Sequence, residues 1–148
     1  MLAIIRIRGN AGKREEIKKE LRMLNLAKKN SCCIIDETPN YMGMLRKVKD
    51  FVTWGEIEKD VLKKLVEKRG RTKKNEKLTK EVLKRENTKI DELVKKILEG
   101  KVKETCLKPY FNLNSPSRGF KGSVKQHYPR GAIGNRKEKI NDLLKRMM

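Results

Sequence analysis

The sequence predicts an α+β protein with a β-α-β-α-β core at its N-terminal end, and three observations carry that expectation. Over residues 1–57 the spacing of apolar residues switches repeatedly between a period of two and a period of three to four, the signatures of strand and amphipathic helix. Glycine, asparagine and proline fall at the switch points, where turns are needed. Only 36% of the 148 residues are hydrophobic and 39% are charged, against roughly 25% charged in an ordinary globular domain. The apolar core must therefore be small for the length, which predicts one domain carrying extensions.

The first element is Leu2 to Arg8, where Ala3, Ile5 and Ile7 share one face and Leu2, Ile4, Arg6 and Arg8 the other. This predicts a strand with one core face and one partly basic face. Gly9 to Gly12 reads as a turn, and from Lys13 the spacing of Ile17, Leu21 and Leu24 predicts a surface helix. Ser31 to Ile35 reads as a buried strand closed by Asp36, Glu37, Thr38 and Pro39. A second helix follows from Asn40, with Tyr41, Met44, Leu45 and Val48 inward and Arg46, Lys47 and Lys49 outward. Phe51 to Trp54 supplies a third strand. Three strands joined by single helices predict a small sheet with both helices on one face. Ile5 and Ile7 are expected beneath those helices, so truncating Ile5 should cost far more stability than truncating an outward Arg6.

Residues 58–100 have the composition of a helical extension. Ile57, Val61, Leu62, Leu65 and Val66 form one apolar stripe and Ile90, Leu93, Val94 and Ile97 another, with Thr88 and Asp91 spaced as a capping box and Gly100 as a stop. Between them Lys68 to Lys77 (KRGRTKKNEK) reads as a polar basic loop. Residues 101–148 hold twelve basic and three acidic residues, and are expected to form a basic loop and a C-terminal helix, beginning at Arg136, that packs on the core.

The charge distribution points to the partner. Thirty-nine Lys and Arg against nineteen Asp and Glu leave a formal charge of +20, and a compact monomer with that field repels itself unless a polyanion absorbs it. From Asn112 to Lys137 there is no Asp or Glu, yet Arg118, Lys121, Lys125, Arg130, Arg136 and Lys137 are interspersed with four glycines. The segment is expected to be mobile alone and ordered by nucleic acid.

Other chemistries lack their residues. The three cysteines give no CxxC, His127 is the single histidine, and Cys32 and Cys33 lie side by side on opposite faces of a strand, which predicts buried reduced thiols and neither metal site nor disulfide framework. The carboxylates lie on charged helix faces and do not form an acid/base pair. No phosphate-cradling glycine motif is present, so neither a cofactor nor a small-molecule substrate is expected. His127 reads as a phosphate or ribose contact; Trp54 and Tyr41 read as core, while Phe111, Phe120 and Tyr128 divide between core and base stacking. No apolar run approaches the roughly 20 residues of a membrane span, and the arginines in LAIIRIRG break any secretory segment. A soluble intracellular protein is expected.

Four runs together resemble a known family: RIRG at 6–9, TPNYMGMLRKVKDFVTWGEI at 38–57, LKPYFNLNSPSRGF at 107–120 and GAIGNRKEKINDLLKRM at 131–147. In this order they are similar to the large-subunit ribosomal protein L-thirty family in its long archaeal form, whose eukaryotic counterpart is called L-seven. The resemblance implies a ferredoxin-like core on an antiparallel sheet, a non-enzymatic structural role in the cytoplasmic ribosome, and as partners large-subunit ribosomal RNA, the neighbourhood of 5S RNA and adjacent ribosomal proteins. A ribosome-assembly factor or RNA chaperone, a DNA-compacting protein and a small RNA-modifying enzyme are the competing readings. The family's Pro-Pro-Arg-Gly-Gly is here Ser115, Pro116, Ser117, Arg118 and Gly119, and its Gly-Gly before the last helix is Arg130 and Gly131. The candidate RNA-binding residues are Arg6, Arg8, Arg46, Lys47, Lys49, Arg69, Arg71, Lys73, Lys74, Arg118, Lys121, Lys125, His127, Arg130 and Arg136.

Overall fold

A computed structural model of the protein describes residues 1–10, 12, 14–85, 89–100 and 105–148, with only the backbone of Lys80 and Lys84. In chain order the elements are β1 (Leu2–Arg6), α1 (Glu15–Met23), β2 (Ser31–Ile35), α2 (Pro39–Val48), β3 (Val52–Glu56), α3 (Lys59–Arg69), α4 (Lys80–Arg85), α5 (Ile90–Leu98), β4 (Tyr110–Asn112), β5 (Ser123–His127), β6 (Gly131–Asn135) and α6 (Ile140–Met147), with a 3-10 turn, Lys137–Lys139, leading into α6. The capping box expected at Thr88 and the helix start expected at Lys13 lie outside the described residues.

The expected β-α-β-α-β core is present, with β2, β1 and β3 antiparallel neighbours. The sheet is larger than the core alone, ordered β4-β2-β1-β3-β6-β5. It is mixed: β4 pairs antiparallel to β2, whereas β6 runs parallel to β3, and β5 parallel to β6 with an irregular register. Helices cover both faces, because every residue of β1 and β2 is buried and each face needs an apolar cover.

The face assignment inverts one expectation. Leu2, Ile4, Cys33, Ile35 and Val52 pack with Leu21 of α1, Leu24 just past its end, and Leu45 and Val48 of α2. Ile5 lies on the opposite face with Ala3, Cys32 and the α3, α5 and α6 residues Leu62, Leu65, Val94, Leu143 and Leu144. Ile7 packs on Ala132 and Ile133 of β6. An alternating strand read alone gives two faces and no indication of which cover belongs to which; here the extension supplies a second cover, so both faces are core.

The C-terminal elements are locked to β3. A Cβ on Gly55 would meet Lys137 O at 2.0 Å, so only glycine permits the 3-10 turn to approach the strand this closely. Buried Asn141 donates from Nδ2 to Glu56 O at 3.0 Å and accepts at Oδ1 from Glu58 N at 3.1 Å, joining α6 to the end of β3. The acid-free segment is therefore partly sheet: Ala132 and Ile133 are buried, whereas all of β5 is exposed. The expectation that nucleic acid orders Asn112 to Lys137 more than the core does did not foresee β6, since the short apolar pair Ala132 and Ile133 in a basic run shows no strand period.

Candidate nucleic-acid interface

Two arginines of the candidate set are interior. Arg6 is 1% exposed, and its guanidinium donates to Leu26 O at 2.7 Å, Ala27 O at 2.6 Å, Arg8 O at 2.9 Å and to Asn10 Oδ1. It ties β1 to the loop that follows α1, satisfying two loop carbonyls that lie beyond the helix end. Arg136 is also buried, donating from Nε to Thr53 Oγ1 at 3.1 Å and from Nη2 to Ala132 O at 3.0 Å, with its charged carbon 5.3 Å from the Tyr128 ring centre. Burial lowers the pKa of both guanidiniums, which still leaves arginine charged at neutral pH. Arg6 and Arg136 are corrections to the expected surface: engaged inside the fold, they are not available to RNA. Alternation places Arg6 on a face but does not say whether that face is solvent.

Around the α2–β3 turn the structure brings together residues far apart in sequence. Arg8 lies over the Phe51 ring at 5.2 Å and donates to Asp50 O at 3.3 Å. His127 of β5 meets Asp50 Oδ1 through Nε2 at 2.8 Å, so the histidine expected to touch RNA is engaged by a carboxylate. Lys49 is exposed beside Asp50, and Arg46 and Lys47 are exposed on α2. Lys47 is paired with Glu20 at 2.5 Å, which raises its pKa mainly through that hydrogen bond.

From β4 the chain passes the end of α6 before returning through β5. Asn114 N donates to Met147 O at 3.0 Å and Ser117 N to Arg146 O at 3.0 Å. The Arg146 guanidinium in turn donates to Gly119 O at 3.0 Å and Ser117 O at 3.5 Å. Between these anchors Arg118 takes a left-handed backbone, φ 62°, and its side chain is exposed. Lys121, Lys125 and Arg130 are exposed along the same excursion. Arg146 was not among the candidates; its role depends on a hydrogen bond across 27 residues and leaves no local signal.

The remaining candidates lie near the opposite sheet edge. Arg71 bridges to Lys77 and Thr72 to Leu107, the latter on the approach to β4. Arg69 donates to Met148 O at 2.8 Å and Arg71 to Asn75 O at 3.4 Å, whereas Lys73 and Lys74 are exposed. The candidates thus divide into two surfaces and an interior pair. Among the described residues there is no metal-binding cluster and no helix long and apolar enough to cross a membrane.

Architecture and charge define a class of protein: a small basic α+β fold that presents cations along an acid-free excursion. Residues 2–52 match the family described as ribosomal protein L30p/L7e. The chain is 44% identical to the large ribosomal subunit protein uL30 of Methanococcus vannielii over 99% of this chain and 98% of that protein. The proteins of the same name from Methanosphaera stadtmanae and Archaeoglobus fulgidus are 42% and 43% identical, covering 100% of both chains and 99% of both chains respectively. The chain belongs to the L30p/L7e family of ribosomal proteins.

Proposed function

We infer that this protein is a structural constituent of the large ribosomal subunit in the cytoplasm, where it binds ribosomal RNA alongside other ribosomal proteins and supports translation. The observation that carries the reading is the near end-to-end identity with archaeal proteins named for that subunit. The alternative assembly-factor and DNA-compacting roles have no such support.

The interface we assign is the surface carrying Arg8, Lys49, Arg118, Lys121, Lys125 and Arg130, with Arg71, Lys73 and Lys74 as a second one. Each cation that meets a phosphate releases condensed counterions, and arginine forks grip paired phosphate oxygens. The fold holds these cations at fixed separations, so RNA geometry is read more than RNA sequence. No residue is assigned a catalytic role, and the ribosomal site is assigned to the neighbourhood of the 5S RNA, as the family resemblance implies. Sucrose-gradient fractionation after a high-salt wash should leave the protein with the large subunit, and crosslinks from it should reach the 5S RNA or its immediate neighbours. Recovery in the free fraction removes the structural role; crosslinks elsewhere in the subunit remove only the location.

A further inference from the structure

A recess of about 190 Å³ opens at the β4 edge of the sheet, and none of the residues lining it belongs to the two surfaces assigned above. Its floor comes from two strands: the register Cys33 to Tyr110 and Ser31 to Asn112 puts Ser31, Tyr110 and Asn112 on the face that α1 and α2 cover. Helix α1 ends at Met23, with Arg22 in its last turn, and leaves this corner of the sheet uncovered. Arg22, Asn25 and Lys28, all exposed, form the wall, and no carboxylate lines the recess.

The wall is prefolded. Asn25 N donates to Arg22 O at 2.9 Å and Leu26 N to Leu21 O at 2.7 Å, while Ser31 Oγ donates to Lys28 O at 2.5 Å. Lys108 Nζ stands 5.9 Å from the centre of the Tyr110 ring, held by Asn75 Oδ1 at 3.0 Å.

We propose that this recess takes one unpaired nucleotide of RNA, its base against the Tyr110 ring and its flanking phosphates on Arg22 and Lys28. The inference rests on the RNA-binding reading and adds a second mode to it. A tyrosine ring offers a stacking surface for any base, and the amides of Asn25 and Asn112 can both donate to and accept from base edges. The carbonyls of Glu20, Leu21 and Arg22 at the end of α1 are already taken up by the chain's own amides, and the negative end of the α1 dipole lies at this corner, so the phosphates depend on the Arg22 and Lys28 side chains. Paired RNA keeps its bases stacked and cannot enter; a base splayed from a loop or bulge can.

Amide spectra of the full chain titrated with a single-stranded hexamer of uridine and adenosine, with inorganic phosphate, and with hexaglutamate test this. The RNA hexamer should shift Ser31, Tyr110 and Asn112, and neither other probe should. Tyr110→Ala should weaken the hexamer about tenfold, while Tyr110→Phe, which keeps the ring, should bind as the parent does and exclude a folding artefact. Equal shifts with phosphate make the recess an anion site and overturn the proposal; equal shifts with hexaglutamate make it a peptide site, with the same result. If the hexamer moves Lys125 and Arg130 but not the recess, the nucleotide proposal falls and RNA binding stands. If no amide moves with RNA, both fall.

Discussion

At the scale of single residues, burial decides what a charged or reactive side chain does. Arg6 ends β1 and Arg8 follows two residues later, yet one is sealed inside and the other lies half-buried on Phe51. Removing a buried guanidinium orphans its carbonyl acceptors, so Arg6→Ala should destabilise the free protein by about 2–3 kcal/mol, and Arg8→Ala by well under half of that. Chemical denaturation of both variants checks the ranking; equal, small losses would return Arg6 to the surface. Burial also governs the thiols. It pushes Cys33 up to about 12 and Cys32 higher still, and a thiol whose pKa lies that far above ambient pH holds almost no reactive thiolate. Half-buried Cys106 should therefore be alkylated first at pH 8, with Cys32 and Cys33 reacting only as the sheet unfolds. Mass spectrometry of time-quenched samples follows the order directly.

At the scale of elements, what matters is which segment holds which. The Arg118 turn is carried by the C-terminal helix through Arg146, so Arg146→Ala should speed exchange of the Ser117 and Gly119 amides and weaken RNA binding while the melting temperature changes little. Unchanged exchange would mean that the Ser117 and Asn114 backbone bonds suffice. The α3 and α5 helices are joined by Lys63 and Asp91 at 2.6 Å. The hydrogen bond, reinforced by opposite charge, lowers the pKa of Asp91 and raises that of Lys63. Asp91 thus stabilises the fold above its unfolded pKa and loses that contribution as pH falls through its lowered folded value. Lys63 contributes fully below the unfolded lysine pKa and loses it as pH rises through its raised one. The melting difference between parent and Asp91→Asn should be small, since the pair is exposed. It should hold between about pH 5 and 9 and vanish in stronger acid.

At the scale of the whole molecule, +20 on 148 residues sets the terms of association. RNA affinity should fall steeply with salt, and the joint change Arg118→Glu and Arg130→Glu should lower the slope of log affinity against log salt by about one for each phosphate that the protein no longer neutralises. Both side chains are exposed, so the free protein should melt almost as the parent does. An unchanged slope would show that these arginines face away from RNA. The two outer surfaces lie near opposite sheet edges, which allows one small protein to touch two separate RNA segments.

The amino-acid sequence by itself determined the β-α-β-α-β core, the opposed faces of Cys32 and Cys33, the apolar stripes of α3 and α5 and the acid-free basic run, because period and charge are local properties carried by neighbouring residues. The run GNRKEKIN was legible as a landmark; its meaning was not. Asn135 caps the turn at Lys137 N at 2.9 Å, Arg136, which read as interface, donates to Thr53 in the interior, and Asn141 fastens α6 to β3, so the landmark is joinery. Only the tertiary structure decided that β6 enters the sheet beside β3, that Ile5 and Ile4 serve different cores and that Arg6 is interior while Lys49 is exposed. The physical reason is common to all three: a strand or helix specifies the faces it has, whereas which face meets solvent depends on what the distant remainder of the chain brings to cover it.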